Sequence, residues 1–314
     1  MTTFASTCAN VALAGNEVQT IPAAFSIPVE ISGALKSQSI YGDRWACSVS
    51  GDIAELVGLG EQIRICRNDD HCAVYTITEI REGDDSDQIR LSKAARQRLG
   101  TSSTGFDAIV RPALATVQLS DKSAKSASEF IECIEDSGNH QGLLVMAPHG
   151  GNIEINTDRQ ARRVLESLSG HDVSSWCCKG WKDGGGSWDR WHVTSTDIHP
   201  KSFPGLAKIT KRDYAYSVAF HGMKDSGVLI GGRGPKALKE MLRQELKAAL
   251  GNVGGPVTIA SKNSDKGGYS LDNVANWVTA GGSGGIQLEQ SSLVRDKYWR
   301  DVADAVASVF SGLV

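Results

Sequence analysis

The chain has 314 residues, 40% of them hydrophobic and 22% charged, and its 33 Lys and Arg against 36 Asp and Glu leave a net charge of −3. Such a composition belongs to a globular protein of about two domains. It contains no Lys/Arg-rich block of the kind that holds nucleic acid, and no run of the roughly 18 apolar residues needed to span a membrane.

Residues 1–27 read as an N-terminal arm. The stretch "MTTFASTCANVALAGNEVQT" has no basic leading segment and only a short apolar run, so a signal peptide of the usual kind is not expected and the cytoplasm is the expected compartment. Residues 28–120 form the first expected domain. Short β-rich runs, among them "IPVEIS", "EQIRICRN", "HCAVYTITEI" and "FDAIVRPAL", alternate with turns, and "DIAELVGLG" reads as a short helix with an Asp N-cap and a closing Gly. This spacing predicts a small all-β barrel or sandwich. The run "IRLSKAARQRLG" before "GFDAIVRP" resembles the strand, helix, strand unit of double-psi β-barrels such as the AbrB-like and Cdc48 N-terminal domains; it brings no catalytic residue with it.

Seven cysteines at irregular spacings, two of them adjacent, match neither a disulfide framework nor a zinc ribbon. Cys66 and Cys72 flank "RNDDH" and would face each other across a hairpin, yet buried free thiols are the expectation.

Around residues 116–130 the composition turns polar and Ser/Lys-rich, as in a linker leading into a helix, which sets a boundary near residue 120. From 121 to 314 apolar strands alternate with helical stretches: "LLVMA" then "TDRQARRVLESLSG" with Thr157 as N-cap, "GVLIGG" then "PKALKEMLRQELKAALG", and "GIQLEQS" then one amphipathic helix "RDKYWRDVADAVASVFSGL". The expected second domain is α/β with a mixed, mostly parallel sheet.

Ligands of open α/β sheets bind beyond the carboxyl ends of the strands. Three strands end there in chemistry: "LLVMAPH" in His149, "YAYSVAFH" in His221 and "GGIQLE" in Glu289, with Glu154 one tight turn after His149. Each histidine alone is more often structural. Together, two imidazoles and a carboxylate are the donor set of a catalytic zinc, and a further carboxylate, Glu289, has the chemistry of the general acid/base such a site needs. Arg295, six residues beyond Glu289, and Arg233 at a helix start are candidates for binding a substrate carboxylate. His192 in "WHVTS" is read as a strand residue of the cleft wall, able to hydrogen-bond substrate. Trp176, Trp181, Trp188 and Trp191 are expected to divide between core and a loop near the cleft.

The strings "APHGGNIE", "WHVTSTDIH", "SVAFHG", "VLIGGRG" and "GGIQLEQSSLVR" resemble, in order and spacing, the poly-γ-glutamate hydrolase family, a bacterial and phage group related to zinc carboxypeptidases. The likeness covers roughly residues 125–314. It implies a three-layer α/β/α carboxypeptidase-like fold, zinc held by His149, Glu154 and His221, Glu289 as general acid/base, and an acidic polymer or other glutamyl amide as substrate. The barrel-like domain lies outside it, and nothing in the sequence names a partner for that domain. A run "DIHPKSFPG", less acidic than the family pattern, leaves the exact substrate open. The alternative is a degenerate domain that holds metal without turnover and serves, with the barrel, as a binding module. A Ser hydrolase lacks a Gly-x-Ser-x-Gly elbow at a strand-to-helix turn, and a dinucleotide site lacks the full glycine fingerprint.

Overall fold

The computed structural model describes residues 26–112, 114–115, 119–136 and 138–314; the expected arm up to residue 25 lies outside the described residues. Six strands come first: β1 (Ile27–Gly33), β2 (Ala46–Ser50), β3 (Gln62–Asn68), β4 (His71–Arg81), β5 (Gln88–Leu91) and β6 (Phe106–Arg111). They close into a barrel in the order β1-β5-β2-β4-β3-β6, with β1/β5 and β2/β4 parallel and the other pairs antiparallel. Val29, Ile31, Ile63, Ile65, Tyr75 and Ile89 fill its interior. β4 shows why a strand with little alternation forms here: Ala73, Tyr75 and Ile77 point into the barrel, whereas Val74 points out into the neighbouring core, so both faces are buried.

Cys66 and Cys72 sit opposite each other in the β3/β4 hairpin with their Cα atoms 4.0 Å apart, and they are disulfide-bonded. This corrects the expectation of free thiols there. Hairpin register, not local composition, decides the pairing. Cys47, Cys177 and Cys178 are buried and free, as expected of thiols used for packing. The "DIAELVGLG" helix is a single turn, Gly51–Ala54, whose N-cap position is Ser50, not Asp52.

Seven further strands form the second sheet: β7 (Phe130–Glu135), β8 (Leu143–Gly151), β9 (Val173–Gly180), β10 (Tyr216–Gly222), β11 (Val228–Gly231), β12 (Val257–Ile259) and β13 (Gly285–Gln290), in the order β12-β11-β13-β10-β8-β9-β7. Only the β11/β13 and β9/β7 pairs are antiparallel, so the sheet is mixed and mostly parallel as the sequence implies. β8 is buried on both faces: Leu143, Val145 and Ala147 join the core under the helices Thr157–Ser167, Lys236–Leu250 and Trp299–Phe310, and Leu144 and Met146 join the core of Trp176, Trp191 and Phe203. Each buried Leu or Met side chain contributes about 1.5–3 kcal/mol.

Two details differ from the sequence reading. Asn156, in the left-handed region at φ 71°, holds the N-cap position of the helix after β8 without a side-chain capping bond, and Thr157 is the first helical residue, its hydroxyl donating to the Glu154 carbonyl at 2.9 Å. The C-terminal helix is two, Ser292–Lys297 and Trp299–Phe310, divided at Tyr298.

Barrel and sheet are joined by polar contacts that bury charge. Arg64, 3% exposed, forms a double hydrogen bond to Glu129 at 2.8 and 3.1 Å, donates to the Leu114 carbonyl at 2.6 Å and lies 4.6 Å over the Trp191 ring. Gln62 of β3 accepts from the His199 amide at 3.2 Å and donates to the Asp197 carbonyl. Such paired, desolvated groups are costly to separate. No helix of the described residues is long and apolar enough to cross a membrane.

Candidate metal and catalytic site

β8, β10 and β13 run parallel side by side, so their carboxyl ends open on one edge. His221 and Glu289 are register partners on β10 and β13. At the end of β8 the chain turns: the Glu154 amide donates to the His149 carbonyl at 2.8 Å. The turn requires its glycines. Gly151 lies at φ +68° with room for a Cβ only 2.8 Å from the Gly180 carbonyl oxygen, and a Cβ on Gly150 would meet the Cys178 carbonyl oxygen at 2.9 Å.

That turn folds Glu154 back onto the two histidines. His149 Nδ1 lies 3.2 Å from Glu154 Oε2 and 3.2 Å from His221 Nδ1, and His221 Nδ1 lies 3.6 Å from Glu154 Oε2. All three residues are buried. His149 Nε2 donates to the Val193 carbonyl at 2.7 Å, and since a carbonyl only accepts, Nδ1 is left to present its lone pair to the cluster. Three edges of this length fit a tetrahedral ion, whose N and O donors about 2.0–2.1 Å away stand about 3.3 Å apart. A His192 ring nitrogen also comes within 4.8 Å of the His149 and Glu154 donor atoms. His221 Nδ1 stands 3.2 Å from His149 Nδ1 and 3.6 Å from Glu154 Oε2, distances at which all three can share one ion.

Burial and neighbouring groups shift the titrating side chains here in different directions. Burial alone would raise the Glu154 carboxyl, but the charges and hydrogen bonds of His149 and His221 outweigh it and hold it well below the usual carboxylate range. Burial pushes the Glu289 carboxyl up, and the nearby His221 and the Gln287 amide, donating at 2.8 Å, offset this only in part. Burial, followed by the charge of His149, drives the His192 imidazole well below its ordinary value, and its Nδ1 has no hydrogen-bond partner among the described residues.

These groups line one cleft of about 700 Å³, which holds His149, Glu154, His192, His221, Glu289 and Arg295. Arg295 reaches it because Gly222 has no side chain; a Cβ there would meet the guanidinium at 2.7 Å. Arg295 also donates to the Ile155 carbonyl at 3.0 Å, which ties the helix Ser292–Lys297 to the Glu154 turn. Arg233 is placed otherwise: its guanidinium donates to the Gly282 and Tyr269 carbonyls, and it does not line the cleft. His192 is not on a strand but ends the short helix Ser187–Trp191. Trp176, Trp181 and Trp191 are core, and Trp188, 41% exposed, lies at the cleft, so the tryptophans divide as expected. Lys224, Lys262 and Tyr269 also line the cleft, and the sequence reading missed them. They come from loops after β10 and β12, where no local pattern announces a shared wall.

A model of the poly-gamma-glutamate hydrolase family matches residues 118–308. The chain belongs to this family. The match takes in the whole second sheet and the cleft and leaves out the barrel strands. Among curated proteins the chain is 31% identical over 169 residues to the UPF0714 protein YmaC of Bacillus subtilis, covering 51% of this chain and 61% of that one. It is 30% identical over 151 residues to the SPbeta prophage-derived UPF0714 protein YoqZ of the same organism, covering 48% and 49%. The chain thus spans less than two thirds of the length of these relatives. Among solved structures it is similar to a bacteriophage poly-gamma-glutamate hydrolase, with 24% identity and a TM-score of 0.44 over 60% of this chain and 93% of that one. A zinc-free YndL structure gives 22% identity and a TM-score of 0.46 over 63% and 96%.

Proposed function

We propose that the protein is a zinc-dependent amidohydrolase that cleaves glutamyl amide bonds, with a poly-γ-glutamate chain as its substrate. The observation that carries this reading is the triangle of His149 Nδ1, His221 Nδ1 and Glu154 Oε2, with edges of 3.2, 3.2 and 3.6 Å, at the bottom of a cleft that also holds Glu289. His149, His221 and Glu154 would hold the ion. Bound zinc would supply Lewis acidity toward the amide carbonyl and make water nucleophilic at neutral pH.

The rest is the work of this chain's own side chains. Glu289 takes the proton of the attacking water and delivers it to the leaving nitrogen; its half-buried carboxyl, raised by desolvation, is suited to hold that proton between the two steps. Arg295 pairs with a carboxylate of the substrate. Exposed Lys224 and Lys262 at the rim suit a chain with a carboxylate on every residue, which would draw along them. His192, with an unpartnered Nδ1 in the cleft wall, hydrogen-bonds substrate. The three-layer carboxypeptidase-like arrangement is part of the same proposal.

The test is metal analysis of purified protein beside hydrolysis of poly-γ-glutamate. About one zinc per chain with chain shortening is expected. Glu289→Gln should keep the zinc and lose kcat by about 10²–10⁴-fold. Full turnover by Glu289→Gln would remove Glu289 from this role, and a zinc-loaded wild type inert on every glutamyl amide would leave the binding-module alternative standing.

A further inference from the structure

The barrel lies outside the family match, yet it packs on residues that line the cleft. Trp45, the residue just before β2, packs on two residues of the second unit: its ring centroid is 4.8 Å from that of Trp188, edge-on at 86°, and 5.2 Å from that of His192. His192 in turn lies 4.2 Å from the ring of His149, tilted by 35°. Its neighbour Val193 supplies the carbonyl that His149 Nε2 bonds at 2.7 Å. The segment Trp191–Val193 therefore sits between the barrel and a donor of the metal triangle, touching both.

The barrel grips that segment by more than one ring. Arg98 is buried, and it donates to three carbonyls: Asp189 at 2.8 Å, Val74 at 2.8 Å and Arg44 at 3.1 Å. Its guanidinium also lies between the rings of Trp45, at 4.2 Å, and Tyr75, at 4.6 Å. Asp189 and Arg190 belong to the helix Ser187–Trp191 that ends in His192, and Arg190 donates back to the Asp69 and Asp70 carbonyls of the β3/β4 turn. Arg44 pairs with Asp189 as well. A five-residue helix has too few bonds of its own to hold a fixed direction.

We propose that Trp45, seated on Arg98, is a positioning residue for the site. The barrel holds the Trp191–Val193 segment in place, and through the His192 ring and the Val193 carbonyl it fixes the orientation of His149. This rests on the reading of His149 as a zinc ligand. Groups that orient a metal-bound histidine typically change metal affinity or activity by about 10–100-fold when removed, and Trp45, one residue further out, should fall at the lower end.

The experiment uses the full chain, with Trp45→Ala, Trp45→Phe, His192→Ala and the Trp45→Ala/His192→Ala pair. Far-UV circular dichroism verifies folding. Zinc affinity is read by chelator competition, and kcat and KM with poly-γ-glutamate. Trp45→Ala should weaken zinc binding by about 10-fold and lower kcat more than it raises KM. Trp45→Phe, which keeps an aromatic edge against Trp188, should stay near wild type. In the His192→Ala background most of the Trp45→Ala effect should vanish. A folded Trp45→Ala protein with wild-type zinc affinity and turnover overturns the proposal. So does an undiminished loss in the double variant, which marks general destabilisation. If Trp45→Ala does not fold, Trp45→Leu against Trp45→Phe decides, with loss in the first and retention in the second expected. A wild type that takes up no zinc sinks the hydrolase reading separately. The clamp is then judged on the His149 and His192 ring resonances, which Trp45→Ala must broaden or double for it to stand.

Discussion

Barrel and second sheet are built from the same kind of apolar strand, but they place chemistry differently. In the barrel the side chains of β1–β6 face either a closed core or the outside, and its polar clusters tie strands together: Asp84 joins Arg81 and Arg90. In the second sheet, parallel β8, β10 and β13 end on one edge, where His149, His221 and Glu289 come together. The difference teaches that a parallel sheet makes a site by topology, whereas the barrel contributes by gripping a segment of its neighbour.

Substitution in the donor triangle should have the largest effect. His149→Ala is expected to lose the zinc and lower kcat/KM by at least about 10⁴-fold with the barrel still folded, as read by elemental analysis, assay and circular dichroism. Retained zinc would place the metal elsewhere. The reciprocal change is smaller for catalysis and larger for stability. Ile65, fully buried in the barrel, should cost about 2–5 kcal/mol on Ile65→Ala, seen in urea unfolding, with kcat per folded molecule unchanged. A kcat that falls with it would mean that the barrel's interior, and not only its rim at Trp45, governs the site.

Below these comes the hairpin bridge. Removing it by Cys66→Ser/Cys72→Ser opens a short loop and should cost about 2 kcal/mol by loop entropy, seen in urea unfolding, with the zinc content unchanged. Smallest is Asp84→Asn. Hydrogen bonds from Arg90 and then Arg81, against the cost of burial, hold the Asp84 carboxyl below the usual range. A lowered folded pKa means stability that is complete above the unfolded value of about 3.9 and is lost as pH falls through the folded one. Asp84→Asn should therefore cost about 1 kcal/mol at pH 7 and nothing further at strongly acid pH. Equal losses at both would show that the charge plays no part.

Much of the site was legible because its signals are local. The apolar run before His149, the two glycines and Glu154 five residues on form one turn, and a turn is decided by its own residues. The same holds for the barrel's short strands and for the apolar faces of Lys236–Leu250 and Trp299–Phe310. β7 and β9 were not announced: "FIECIE" directly follows a polar stretch expected to lead into a helix, and "VSSWCCKG", buried along its length, shows no alternation because both its faces are covered. The Cys66–Cys72 bridge depended on hairpin register, and His192 was misplaced because a helix of five residues leaves almost no periodicity to read.

By itself, then, the sequence determined the two compositional halves, the β-rich and the strand-helix alternation, and the residue types at three strand ends. Only the tertiary structure decided that His221 Nδ1 meets His149 Nδ1 at 3.2 Å, that Arg233 turns to carbonyls outside the cleft, and that Trp45 touches His192. The physical reason is range. Propensity, capping and turn chemistry act between residues a few positions apart, whereas these contacts join distant segments whose meeting is set by strand order and by the packing of whole faces.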